Sequence, residues 1–179
     1  MPATTPSAAV PYMIGTDALG LVDQRIKDVA DWLEAVYTAQ CKLFAGATVN
    51  TANNGVATTL SFASENWDPS GMHNPAVNPS RITLAKAGRY RVTGQVMWPT
   101  NNLGWRYAYL THNGAVFAQV TQNPVTATET RQQVTGTIVA LAGQYVEFGC
   151  AQNSGSNLVI VDDNYSDTFF QAEWIGPAF

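Results

Sequence analysis

The densest cluster of chemically competent side chains is "VDDNYSDT", running from Val161 to Thr168, which places Asp162, Asp163, Asn164 and Asp167 in one loop. Carboxylates held close to one another repel, and with a side-chain carbonyl beside them they offer hard oxygen ligands, so calcium is the one cofactor this loop would take. The spacing is not that of the twelve-residue helix–loop–helix site. The competing reading is a solvated turn whose Asp and Asn side chains cap their own backbone. One of these carboxylates with Glu147 or Glu173 would make the acid–base couple of a glycosidase, but no spacing supports that pairing.

Nucleophilic catalysis would need a base, and there are two histidines, His73 and His112. Neither lies near a Gly-x-Ser-x-Gly turn, and His112 adjoins the hairpin signal "HNGA". Two distant cysteines and two distant histidines do not make a zinc site. No catalytic residue is expected, and the chain reads as a non-enzyme. Rings and amides suited to holding a sugar or a protein ligand fall in predicted loops at Trp67, His73, Asn101, Asn102 and Tyr165. Trp105, Tyr107 and Tyr109 alternate with Arg106, Ala108 and Leu110, so one of these faces belongs to a core and the other to a surface or subunit interface. Intersubunit packing and ordinary loop contacts are the alternative use of all these side chains.

What must position them is bounded by composition. The chain has 179 residues, 46% of them hydrophobic and only 12% charged, with a formal net charge of -4. That is enough apolar material for a real core and too little clustered Lys and Arg for a nucleic-acid partner. The N-terminus has neither a basic segment nor an apolar core of signal-peptide type, and no window is long enough for membrane insertion. The expectation is assembly in a cytoplasm and release in a particle. Cys41 and Cys150 read as buried free thiols in a reducing compartment, with a disulfide as the alternative.

Three segments follow. Residues 1–20, with Pro2, Pro6 and Pro11, read as an extended arm that either lies on a partner or stays loose. Residues 21–43 read as one short helix, in which Val22, Ile26, Val29, Leu33, Val36, Gln40 and Leu43 recur at heptad spacing. β-Branched residues at one core position favour three or more strands over a parallel pair, so the seam predicts a trimeric coiled-coil stalk; packing of the helix on its own β domain is the alternative. From residue 44 to 179 the period changes to two. In "RYRVTGQVMW", Tyr90, Val92, Gly94, Val96 and Trp98 share one face, and Arg89, Arg91, Thr93 and Gln95 share the other. Eight to ten short strands bounded by Gly, Asn, Pro and Asp, with no helix between them, predict a mainly β, antiparallel jelly-roll sandwich.

Four segments of this β part resemble the globular head of the complement q-subunit and tumour-necrosis-factor superfamily. They are "AGRYRVTGQVMW", "YLTHNGAVF", "VTGTIVALAGQYVEFGC" and "VDDNYSDTFFQAEWI". Gln144, where that family usually has Asp, and Gln171 and Ala172, where it usually has Gly, depart from the pattern. The resemblance implies a ten-strand jelly roll that trimerises through aromatic and aliphatic faces, often on a coiled-coil stalk. The opening "PYMIGTDALGLVDQRIKDVADWLE" resembles minor tail and appendage proteins of actinobacterial phages. Together the two imply a homotrimeric virion protein, a tail appendage or fibre. Its arm would meet another virion protein, and its head would bind a host-surface glycan or protein. A capsid decoration or head-fibre protein shares that architecture. A small bacterial lectin-like or glycan-hydrolysing protein is the reading from a different class.

Overall fold

The computed structural model describes residues 16–46, 50–162 and 167–178, with helix side chains from residue 20 onward. Among the described residues one helix, α1 (Thr16–Thr38), precedes a series of strands. The first six are β1 (Gln40–Phe44), β2 (Thr51–Ala52), β3 (Thr58–Thr59), β4 (Ser64–Trp67), β5 (Arg81–Thr83) and β6 (Gly88–Trp98). After them come β7 (Arg106–His112), β8 (Ala115–Gln122), β9 (Thr130–Ala140), β10 (Tyr145–Gln152), β11 (Leu158–Val159) and β12 (Phe169–Gly176). They build two antiparallel sheets, one in the order β4-β1-β12-β6-β9 and one in the order β3-β10-β7-β8, with β5 also on β10 and a small β11-β2 pair beside them. Neighbours that are distant in sequence, such as β1 with β12 and β6 with β9, are the crossovers of a jelly roll. The predicted fold class is the one observed.

Alternation makes the strands. In β6 the side chains of Tyr90, Val92, Val96 and Trp98 are fully buried between the sheets, while Arg91 points out. Gly94 occupies the remaining inward position because a Cβ there would stand 2.4 Å from the Phe148 ring. That gap lets Phe148 of β10 cross the sandwich and stack on Phe170 of β12, centroids 6.0 Å apart. Two polar side chains inside meet each other: Trp98 Nε1 donates to Gln132 Oε1 at 3.1 Å, and Gln132 Nε2 donates to the carbonyls of Arg106 and Val120. The Asn-Gly signal is an observed turn, with φ of 48° at Asn113 and 82° at Gly114, the two left-handed positions such a hairpin needs. Cys41 and Cys150 are free and buried. Burial pushes both thiols up, Cys150 to about 12, so neither is a thiolate near neutrality.

The front of the chain departs from expectation. The helix ends at Thr38 rather than residue 43, and Gln40 and Leu43, assigned to the heptad seam, lie on β1 instead. Cys41, Leu43 and Ala45 are buried while Gln40, Lys42 and Phe44 are half-buried, a period of two. Five register pairs with β12, from Gln40↔Glu173 to Phe44↔Phe169, satisfy the backbone there and outweigh one further helical turn. At the other end the helix already includes Gly20 and begins at Thr16, so it enters the stretch assigned to the arm; residues 1–15 lie outside the described residues. The chain divides into two compact units, Met1–Glu34 and Ala35–Phe179, so the last turn of α1 belongs with the β body. Ala35 and Ala39 are in its buried core.

Candidate functional site

Within the first unit the seam is wet. Ile26 is 63% exposed and Leu33 55%, and Val22 and Val29 are exposed to a similar degree. Trp32 and Leu21 widen the stripe. Lys27 to Asp31 and Gln24 to Asp28 are i,i+4 pairs that support an isolated helix by a few tenths of a kcal/mol each. That is little beside the roughly 1.5–3 kcal/mol that burying each large aliphatic side chain is worth.

The β body carries a second distinctive surface, the outward face of the β4-β1-β12-β6-β9 sheet. Its rows follow from register: Phe44, Phe169, Gln95 and Gln133 form one, and Trp67, Lys42, Gln171, Thr93 and Thr135 the next. A third row is Gln40, Glu173, Arg91 and Thr137. The centre of this face is thus a strip of amides and hydroxyls, with the Thr93 and Thr135 hydroxyls 3.0 Å apart. Aromatic rings are confined to the β1 and β4 side, where the Lys42 ammonium sits 4.5 Å from the Phe169 ring centroid and 5.3 Å from that of Trp67. These three rows are mostly uncharged polar.

Of the five residues singled out as ligand contacts, the four described ones do not form one shared surface. Trp67 lies on the sheet face just described. His73 is withdrawn from solvent: its side chain is fully buried, with Nδ1 2.7 Å from Glu65 Oε1 and Nε2 3.3 Å from the Pro79 carbonyl. Asn101 is occupied as a brace, accepting from the Leu103 N–H at 2.9 Å and from Arg106 Nη2 at 3.2 Å. Asn102 is exposed beside it, and Tyr165 lies outside the described residues. The Trp67 row crosses β6 at Thr93, five residues short of Trp98, roughly 17 Å before the loop that holds Asn101 even begins. Loop position alone misled here, because a short polar loop must first satisfy its own backbone and the buried Arg106.

The acidic loop is divided in the same way. Asp167 is buried and accepts from Arg131 Nη2 at 2.9 Å. Asp163 and Asn164 lie outside the described residues. Burial lifts the Asp162 carboxyl to about 6, with the Asp167 charge adding to the rise; the N–H groups of Gly46, Thr168 and Ala45 face it and oppose the shift. Among the described residues no three His, Cys, Asp or Glu side chains cluster as metal ligands. Glu147 and Glu173 are each in an ion pair, with Arg81 on β5 and Arg91 on β6, and they stand on the outward faces of different sheets. They share no site. His112 Nε2 is 3.0 Å from Gln144 Oε1, a contact that ties its hairpin to the β9–β10 turn.

No protein-family model and no curated protein sequence matches the chain. Solved structures match its fold. Murine APRIL, in a crystal structure at pH 5.0, is similar at a TM-score of 0.59 over 76% of this chain and 98% of its own, with 8% identity. The Eiger TNF of S. frugiperda gives 0.55 over 78% and 94%, with 9% identity. The globular domain of zebrafish complement 1qA gives 0.54 over 78% and 99%, again with 9% identity. The β body has the jelly-roll fold of the tumour-necrosis-factor and complement globular heads.

Proposed function

We propose that the chain is a non-enzymatic structural protein of a phage particle, a homotrimeric tail appendage or fibre. Its arm engages another virion protein, and its β head binds a protein or glycan on the host surface. The observation that carries this reading is the wet seam of α1. Val22, Ile26, Val29 and Leu33 lie exposed at heptad spacing on a helix of about 35 Å, and a short helix of that kind is marginal in water until its stripe is covered. Three copies of the same stripe cover one another. The amide and hydroxyl strip on the β4-β1-β12-β6-β9 face then offers each subunit donors and acceptors that match those of its neighbours. The jelly-roll neighbours support a head of this kind, and the resemblance of residues 11–34 to phage appendage proteins supports the particle.

Light scattering on the purified chain tests the assembly, which should run at three times the 19.3 kDa of one copy. A stable single copy across the accessible concentration range would end the stalk argument. Antibody labelling of intact particles tests the location: labelled tail tips agree with the proposal, labelled capsid faces make it a decoration or head fibre, and unlabelled particles remove the virion role.

A further inference from the structure

On the other side of the sandwich, the outward face of β10, β7 and β8 carries a groove of about 300 Å³. Its floor is a pair of tyrosines. Tyr107 and Tyr109, two apart on β7, stack with ring centroids 5.4 Å apart and planes at 28°. Gly149 of β10, directly opposite Tyr109 in register, makes the floor possible. A Cβ on Gly149 would fall 2.3 Å from Tyr109 Cζ and 2.8 Å from the Thr58 carbonyl, so only glycine lets the ring lie down across β10 toward Thr59. Tyr107 is held at its far end, where its hydroxyl donates to Gln119 Oε1.

The polar groups lining this groove are acceptors and hydroxyls. Glu147 accepts from Ser80 Oγ at 2.9 Å and from Arg81 Nε at 3.1 Å, both on Oε1, which leaves Oε2 as an acceptor. The Arg81 guanidinium, 3.9 Å from the Tyr145 ring centroid, balances the Glu147 charge without lining the groove itself. Thr111 is only 7% exposed, lines the groove, and has a hydroxyl with no hydrogen-bond partner. That hydroxyl is shielded from solvent, so it offers a ligand no contact.

We propose that this groove is a saccharide site. It takes one neutral, hydroxyl-rich pyranose unit, with the C–H face of the sugar on the Tyr107–Tyr109 pair and its hydroxyls on Glu147 Oε2. An aromatic floor with a carboxylate acceptor at its wall fits a ligand that is apolar on one face and a hydroxyl donor at its rim. Among the described residues no cationic side chain lines the groove to hold a phosphate or a sugar acid, and Glu147 disfavours both. The volume is at the small end for ligand sites, which suits one ring better than a peptide. The inference rests on reading the β body as a binding head; it does not rest on the trimer, because every residue of the groove belongs to one chain and to the sheet away from the proposed subunit face.

Saturation-transfer NMR on the full chain tests it, with methyl glycosides of glucose, galactose, mannose and N-acetylglucosamine as probes and methyl glucuronide as the charged comparison. Each is titrated to roughly 50 mM, well above the Kd of about 1 mM that a single ring at ordinary ligand efficiency supports. At least one neutral glycoside should bind saturably, and the glucuronide at least tenfold more weakly. Tyr107→Ala should weaken the neutral glycoside at least tenfold. Glu147→Gln should narrow the gap between neutral and acidic sugars, a change that a merely structural role for Glu147 would not produce. Val116→Trp, at an exposed rim position, closes the groove without touching the core and should abolish binding even if the other variants fold poorly. Saturable binding of none of the four neutral probes, or binding that survives Val116→Trp, overturns the site. A single-copy chain that still binds sugar through these residues sinks the trimer and leaves the groove. A trimer that attaches to host cells but binds no neutral glycoside does the reverse.

Discussion

Leu33 and Leu43 lie ten residues apart and live under opposite conditions. Leu43 is completely buried on β1, in contact with the main core, whereas Leu33 is 55% exposed on α1. The sandwich is a finished object: its alternating side chains meet those of the opposite sheet within one chain. The helix presents the same residue types at a period that only another helix satisfies. One region is complete in a single copy and the other is not, and the proposed assembly rests on that difference.

The widest separation between the two regions should come from matched truncations. Leu43→Ala should destabilise the sandwich by about 2–5 kcal/mol, the range for emptying a fully buried leucine position. Leu33→Ala should change it by less than about 0.5 kcal/mol, as exposed substitutions do. Urea unfolding followed by tryptophan fluorescence, at dilutions where the chain is a single copy, measures both. A large effect of Leu33→Ala under those conditions would mean that the helix stabilises its own β body, and the contrast would collapse.

Charging the seam sharpens the comparison from the other side. Ile26→Asp together with Val29→Asp should convert the assembly to single copies in light scattering while the β body keeps its unfolding midpoint. Residues 35–179 alone should fold, because the cut falls between the two compact units and spares Ala35, Ala39 and all of β1. A cut at 43, where the sequence put the stalk's end, would remove most of β1, the strand that pairs with both β12 and β4, and that product should not fold.

These outcomes also mark how far the sequence could be read. The sandwich was legible because the inward residues of β6 and β7 follow a strict period of two and the turns are spelled by Asn-Gly and Gly143. The end of the helix was not legible, because Gln40 and Leu43 satisfy a heptad and an alternating strand equally well, and only pairing with β12, some 130 residues later, decides between them. Two of the candidate ligand residues have other duties for a related reason. His73 and Asn101 look like free loop side chains, yet both are consumed by local partners. The Tyr107–Tyr109 alternation was visible, but the groove it floors needs Gly149 directly across the sheet, a pairing that no local pattern announces.

A smaller effect distinguishes the two ends of the acidic loop. Asp162 has its carboxyl raised to about 6 from a usual 3.8 by burial, so the folded chain binds its proton more tightly than the unfolded chain does. Its contribution is therefore fully present below the unfolded value and is lost as pH rises through about 6. Asp162→Asn should raise the melting temperature at pH 7, and the gap from the parent should close as pH falls to about 4. A gap that stays constant with pH would mean the carboxyl titrates normally. Calcium offers an independent check, since a cation held by this carboxylate would raise the parent's melting temperature at pH 7 and leave Asp162→Asn unmoved.

The smallest expected effect is the most sensitive to whether the sheet face is covered. Arg91 and Glu173 pair across β6 and β12 at 2.5 Å, with more than half of the Arg91 side chain exposed. In a single copy such a pair is worth about 0–1 kcal/mol and is weakened further by salt, so Arg91→Ala should be nearly silent in the residues 35–179 fragment. If the proposed assembly covers this face, the same substitution in the full chain leaves Glu173 against a neighbouring subunit, out of reach of water and without its partner, and a charge stranded in that way costs several kcal/mol. The ratio of the two effects, measured in the fragment and in the intact assembly, therefore reads out burial of this face directly. Equal, small effects in both would leave the helix as the whole of the assembly interface.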